Sequence, residues 1–135
     1  MYVRRKNLIV APSFMAVAVC AVMGYDVETV RNAGSDGAEI VVMKYTDERS
    51  AVVSTFRDIK QGGQIFFGEE KAVIPEASDA FQQFKSMLES FKEMLDTEKP
   101  PFDWRQTVET SKVIIAGRIS LAEGGREVNL KELEV

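Results

Sequence analysis

The chain contains no histidine. That excludes Ser-His-Asp triads and His-ligated metal sites, and it removes the side chain that most often moves protons near neutral pH. The single cysteine, Cys20, can form neither an internal disulfide nor a paired metal or redox site, and with it the chain reads as cytoplasmic. Basic residues are the minority, 17 against 21 acidic, for a net charge of −4. That argues against nucleic acid as a partner, because neutralising phosphates needs a basic surface. There is no Gly-rich phosphate loop of the GxGxxG or GxxxxGK[ST] type, no internal repeat and no low-complexity tract.

What is present is a β-rich block from Asp36 to Ile74. The runs GAEIVVMKY, SAVVSTFRD, GGQIFFG and KAVI follow one another with short polar breaks. Val, Ile, Phe, Tyr and Thr suit a pleated, half-buried surface. Thr46, Asp47 and Glu48 make a tight polar link, so the first two runs are expected to pair as an antiparallel hairpin, and the block reads as a meander. Its alternation is two-sided. Ile40 and Val42 point one way and Val41, Met43 and Tyr45 the other; Val52 and Phe56 oppose Ala51 and Val53. Helices can cover one such face, and the other calls for a partner chain, a further domain or a ligand.

Ahead of the block, Arg4, Arg5 and Lys6 precede an apolar run from Leu8 to Met23. A basic start followed by an apolar stretch is the pattern of a secretory leader. Pro12 interrupts the run, Val19 is too large for a lipoprotein-like cleavage site before Cys20, and the span is short of the ~20 residues a membrane helix needs. The preferred reading is a strand over Asn7–Ala11 and a buried helix from Ser13 to Met23, stopped by Gly24. Tyr25–Arg31 reads as an edge-like strand. After the block, Ala77, Ala80, Phe81, Phe84, Met87, Leu88, Phe91, Met94 and Leu95 recur at three- and four-residue steps. They predict a helix over Glu76–Glu98, capped at Asp79 and halted by Pro100-Pro101. Its Phe/Met stripe is expected to be core, with a partner-binding groove as the less common use. Asp103 with Gln106 opens a further helix from Trp104 to about Glu123, with Val108, Ile115, Ile119 and Ala122 lining one side and Val113, Ile114 and Ala116 widening it. Gly124-Gly125 ends it, and Arg126–Leu130 can add a last strand with Val128 and Leu130 inward.

The expected fold is α+β: one domain over 1–135, an antiparallel or mixed open sheet of about five or six strands, and three helices mainly on one face. Asp47-Glu48 and Glu69-Glu70 are acid pairs at turns, where solvated charge is the default. Arg57 ends an apolar strand and Arg118 lies in an apolar helix. Each can hold an anionic group bidentately or pair with an internal acid. These residues make no self-sufficient active site, so on its own the chain is not expected to be an enzyme.

Several segments, in order, resemble a known domain: Met23-Gly24; Val53-Ser54-Thr55-Phe56-Arg57; Ile65-Phe66-Phe67-Gly68-Glu69-Glu70-Lys71; Glu98-Lys99-Pro100-Pro101; and Ala116-Gly117-Arg118-Ile119-Ser120 with Glu123-Gly124-Gly125-Arg126. Across nearly the whole chain the series is similar to the C-terminal domain of the glucose–fructose oxidoreductase and inositol dehydrogenase family. The resemblance implies a relative of enzymes that pass hydride between NAD(P) and a sugar or polyol. It implies a domain that supplies substrate contacts and builds a homodimer through its open sheet face. The dinucleotide-binding Rossmann domain of that family has no counterpart in this sequence, so NAD(P) enters only through a separate domain. Glu98-Lys99-Pro100 is the turn after the long helix and not the family's catalytic motif. The proton-relay pattern of the family's first C-terminal helix falls on Val10, Phe14 and Val17, all apolar, and an apolar side chain moves no proton. The expectation is therefore a non-catalytic substrate-binding and oligomerisation domain, with no metal and no membrane or nucleic-acid partner. The alternative is a stand-alone binder of a sugar, polyol or anion. In that reading its pocket lies near Phe14, Arg57 and Arg118, where sheet meets helices.

Overall fold

The computed structural model describes residues 10–35, 37–57, 65–67, 70–74 and 79–133. The fold is α+β, and the chain divides into two compact units, one of Met1–Ile59 with Trp104–Val135 and the other of Lys60–Asp103.

In the first unit, α1 spans Val10–Met23, β1 Val27–Asn32, β2 Ala38–Tyr45, β3 Ser50–Phe56, α3 Trp104–Ala122 and β6 Val128–Asn129, followed by a 3-10 turn over Leu130–Glu132. The strands form one antiparallel sheet in the order β3-β2-β1-β6. Val10 and Ala11 are helical rather than extended. Pro12 is no obstacle there, because the first-turn N–H groups of a helix have no partner within it. Gly24 stops α1 as expected: its φ is +83° and its N–H bonds to Cys20 O at 2.9 Å. β1 is an interior strand between β2 and β6, not an edge, because the short β6 pairs with Thr29 and Val30.

The hairpin of β2 and β3 pairs Ala38 with Phe56 through Lys44 with Ser50. Its alternation divides as the sequence predicts. Val30, Met43, Tyr45, Val53 and Val128 are buried and pack with Val113 and Ala116 of α3, while Val19 and Met23 of α1 close over them. Arg49, beyond the hairpin turn, lies over the Tyr45 ring at 4.9 Å, bonds Asp47 Oδ2 at 2.7 Å, and donates to the Met23 carbonyl. One guanidinium thus ties the turn to an orphan carbonyl at the end of α1.

α3 turns a different face to the sheet than its aliphatic residues suggest. Its buried residues are Thr110, Val113, Ala116, Gly117 and Ser120, while Ile115 is exposed. The sheet presents branched Val30 and Val41, which would meet a Cβ at position 117 at 3.9 Å, an ordinary contact distance, so an alanine fits there and little room is left for a longer side chain. Thr and Ser enter this face because a buried hydroxyl is tolerated when it is hydrogen-bonded.

In the second unit, β4 (Phe66–Phe67) and β5 (Ala72–Val73) pair with each other and do not extend the four-stranded sheet. Chain order alone suggested one continuous meander, and nothing in the alternation of those short runs marks which strand each would join. α2 spans Ala80–Thr97, begins at an N-cap where Asp79 Oδ1 accepts from Phe81 N at 3.3 Å, and ends at Glu98 with φ 55°. No residue of α2 is buried, so the stripe expected in a core is on the surface.

Candidate functional site

The most elaborate polar arrangement lies where β1 ends, β2 begins and α3 finishes. Asn32, Glu39 and Ser120 are buried there. Asn32 Nδ2 donates to Glu39 Oε2 at 3.0 Å, and Gly34 N donates to Asn32 Oδ1 at 3.1 Å. Asn32 N donates to Ser120 Oγ at 2.8 Å, and Ser120 Oγ donates to Arg126 O at 2.5 Å. Arg31 Nε adds a bond to Gly125 O at 2.9 Å.

Glu39 sits on the core face of β2, two residues before Val41 and four before Met43. The β2 alternation that sorted the apolar residues already places it there, so the signal was a lone acid in register with core positions. Its Oε1 has no hydrogen bond among the described residues; the nearest cation is Arg118, whose Nη1 lies 3.7 Å away. Arg118 is therefore partly committed to an internal acid, one of the two uses its place in the sequence allows. Arg57 follows β3, where its N–H bonds Gly37 O at 2.8 Å, and its guanidinium lies against Gly37. The structure thus sets Arg57 and Arg118 against residues 37 and 39 at the entry to β2. Phe14 lies within α1, and its side chain is outside the described residues.

A second feature was not foreseen. A shallow cavity of about 380 Å³ opens at the start of α3, lined by Asp26, Trp104, Arg105, Glu109, Lys112 and Lys131 among others, and neither Arg57 nor Arg118 reaches it. Glu109 Oε1 in its wall accepts from Val27 N at 2.9 Å and so fixes the entry of β1. Behind it, burial pushes the Cys20 thiol up, with the Glu109 charge adding to the shift and a hydrogen bond to Thr110 opposing it. Burial also pushes the Tyr45 phenol up to about 12, with the charge that Cys20 carries once ionised and the Glu109 carboxylate adding to it and the Arg49 guanidinium opposing it. Both groups are held in their protonated, chemically quiet forms. Among the described residues no cluster of His, Cys, Asp and Glu could hold a metal ion, and no helix is long and apolar enough to cross a membrane.

The Tyr45 hydroxyl is buried with no hydrogen-bond partner among the described residues. Tyr45→Phe keeps the ring under Arg49 and removes the orphan, so at neutral pH it is expected to leave stability unchanged or raise it by about 1 kcal/mol. The alkaline limb tests the same group. A phenol with a folded-state pKa above its unfolded value stabilises fully below pH 10, and that contribution is lost as pH rises from 10 to about 12. Urea unfolding should show wild-type stability falling over that window by on the order of 2 kcal/mol more than in Tyr45→Phe. Parallel pH profiles for the two proteins would refute the assignment.

No family model matches this sequence, and neither the curated proteins nor the solved structures give a match to it.

Proposed function

We propose that the chain is a non-catalytic substrate-binding and oligomerisation domain, related to the C-terminal half of NAD(P)-dependent sugar and polyol dehydrogenases. In this reading, the three helices, the four-stranded sheet and the separate β4–β5 ribbon make up the domain. NAD(P) is contributed by a separate dinucleotide-binding domain, and Arg57 and Arg118, with Phe14, provide the substrate contacts. The observation that carries it is the uncovered face of the four-stranded sheet. Ile40, Val52 and Phe56 are 36%, 60% and 44% exposed on the side away from α1 and α3. Strand faces of this kind bury themselves against a second copy in isologous pairs.

The test is solution mass by light scattering after size exclusion across a range of concentrations. The wild-type chain is expected to associate through this face, and Val52→Lys is expected to lower the mass by one association step without loss of far-UV helix signal. A mass that Val52→Lys leaves unchanged, or a wild-type monomer at all concentrations, sinks the reading.

A further inference from the structure

The described apolar side chains of the second unit are left largely exposed. Among its described side chains only Met94 is even half-buried. Along α2, Phe81, Phe84, Met87, Leu88, Phe91 and Leu95 are 48–66% exposed, and Phe67 of β4 and Ile74, just past β5, are more exposed still. Exposed apolar surface of this extent on a soluble domain marks an interaction site.

The spacing on α2 narrows the choice of occupant. Phe81, Phe84, Leu88, Phe91 and Leu95 are separated by three, four, three and four residues. That is the a/d repeat of a seam between two helices, whose period of 3.5 keeps the contact on one line. The helix carries its charges in pairs of its own, Lys85 Nζ with Glu89 Oε1 at 3.7 Å and Lys92 Nζ with Asp96 Oδ2 at 2.5 Å, so the seam is not flanked by isolated charge. Three half-exposed phenylalanines and three aliphatic side chains leave roughly 600 Å² of apolar surface per helix. Two copies would together bury roughly 1,200 Å², the lower bound for a specific, stable interface.

We infer that α2 pairs with α2 of a second copy of this chain, in parallel and in register. Charge selects the direction. In this repeat Lys85 and Lys92 occupy the position after each d residue, and Ala80, Met87 and Met94 the position before each a residue. A parallel pair lays the Lys92 stem beside the partner's Met87 and the Lys85 stem beside the partner's Ala80. An antiparallel pair would bring the lysines of the two chains toward each other. This surface is distinct from the sheet face proposed above. A chain with both has two isologous interfaces, which close into a tetramer or continue into an open assembly.

Two measurements on the full chain test the pairing. Sedimentation equilibrium is expected to show an association step that Phe91→Glu weakens at least tenfold and that Val52→Lys leaves in place. Leu95→Cys, with Cys20 buried as the only other thiol, is expected to form an interchain disulfide under mild oxidation, because parallel pairing sets position 95 against itself. Association unaffected by Phe91→Glu overturns the proposal. So does a Leu95→Cys chain that stays uncrosslinked under oxidant, which would also catch the case in which Phe91→Glu acts only by melting α2.

Discussion

Gly34→Ala is expected to destabilise the protein by about 3 kcal/mol or more, read as a drop in the urea midpoint. The cause is space. A Cβ at position 34 would fall 2.2 Å from Ala38 O, 2.6 Å from Glu39 Cα and 2.6 Å from Ile40 N, all of them backbone. These atoms cannot rotate aside as a side-chain tip can. They are held by Ala33 N to Ile40 O at 2.8 Å and by the paired bonds between Ser35 and Ala38 at 3.0 Å. To admit the methyl group, the connection from β1 to β2 has to open, and the Asn32–Glu39 contact opens with it. Gly124→Ala supplies the control. Gly124 has φ +73° and nothing within 4 Å of the new Cβ, so only the conformational cost of about 1 kcal/mol remains. Equal losses in the two variants would show that the tight approach at Gly34 is not a feature of the folded protein.

Ser120→Ala is expected to cost about 2–4 kcal/mol. The hydroxyl accepts from Asn32 N and donates to Arg126 O, and the site is fully buried. Alanine therefore leaves the buried Asn32 N–H without a partner and removes the part-buried bond to Arg126 O. Ser111 in the same helix bonds Thr107 O at 2.8 Å but is exposed, so Ser111→Ala is expected within 0.5 kcal/mol of wild type. Thermal unfolding of the two variants side by side measures the difference. A Ser120→Ala protein as stable as Ser111→Ala would mean the bridging bonds carry no net stability.

Much of the fold was written in local chemistry. Gly24, the Asp79 cap, the tight link at 46–48 and the alternation along β2 and β3 each act over a few residues, and each falls where the sequence placed it. What was harder to read depends on partners distant in the chain. The face that α3 buries is decided by the branched side chains of β1 and β2, so Ala116, Gly117 and Ser120 take the contact and Ile115 does not. β6 makes β1 an interior strand from about a hundred residues away. Arg57 and Arg118 were singled out as charges in apolar surroundings. That they gather at residues 37 and 39, and that Asn32 and Ser120 join them, follows from a hairpin and a helix meeting, which no spacing rule encodes. The cavity beside Trp104 is likewise assembled from four separate stretches.

The interrupted course of the first unit has a consequence for synthesis. Strands β1 to β3 are complete by Phe56, but Val113 and Ala116, which cover Val30, Met43 and Val53, lie beyond the whole of Lys60–Asp103. At ordinary elongation rates of about 5–20 residues per second, some 3–13 seconds separate the emergence of the hairpin from the end of α3. During that interval α1 alone is available to the inner face of the sheet, and β1 lacks β6 along its free side. The nascent chain therefore holds the inner face of its sheet only partly covered until α3 emerges, and the order of its elements makes the stretch from Trp104 onward the one that completes this core.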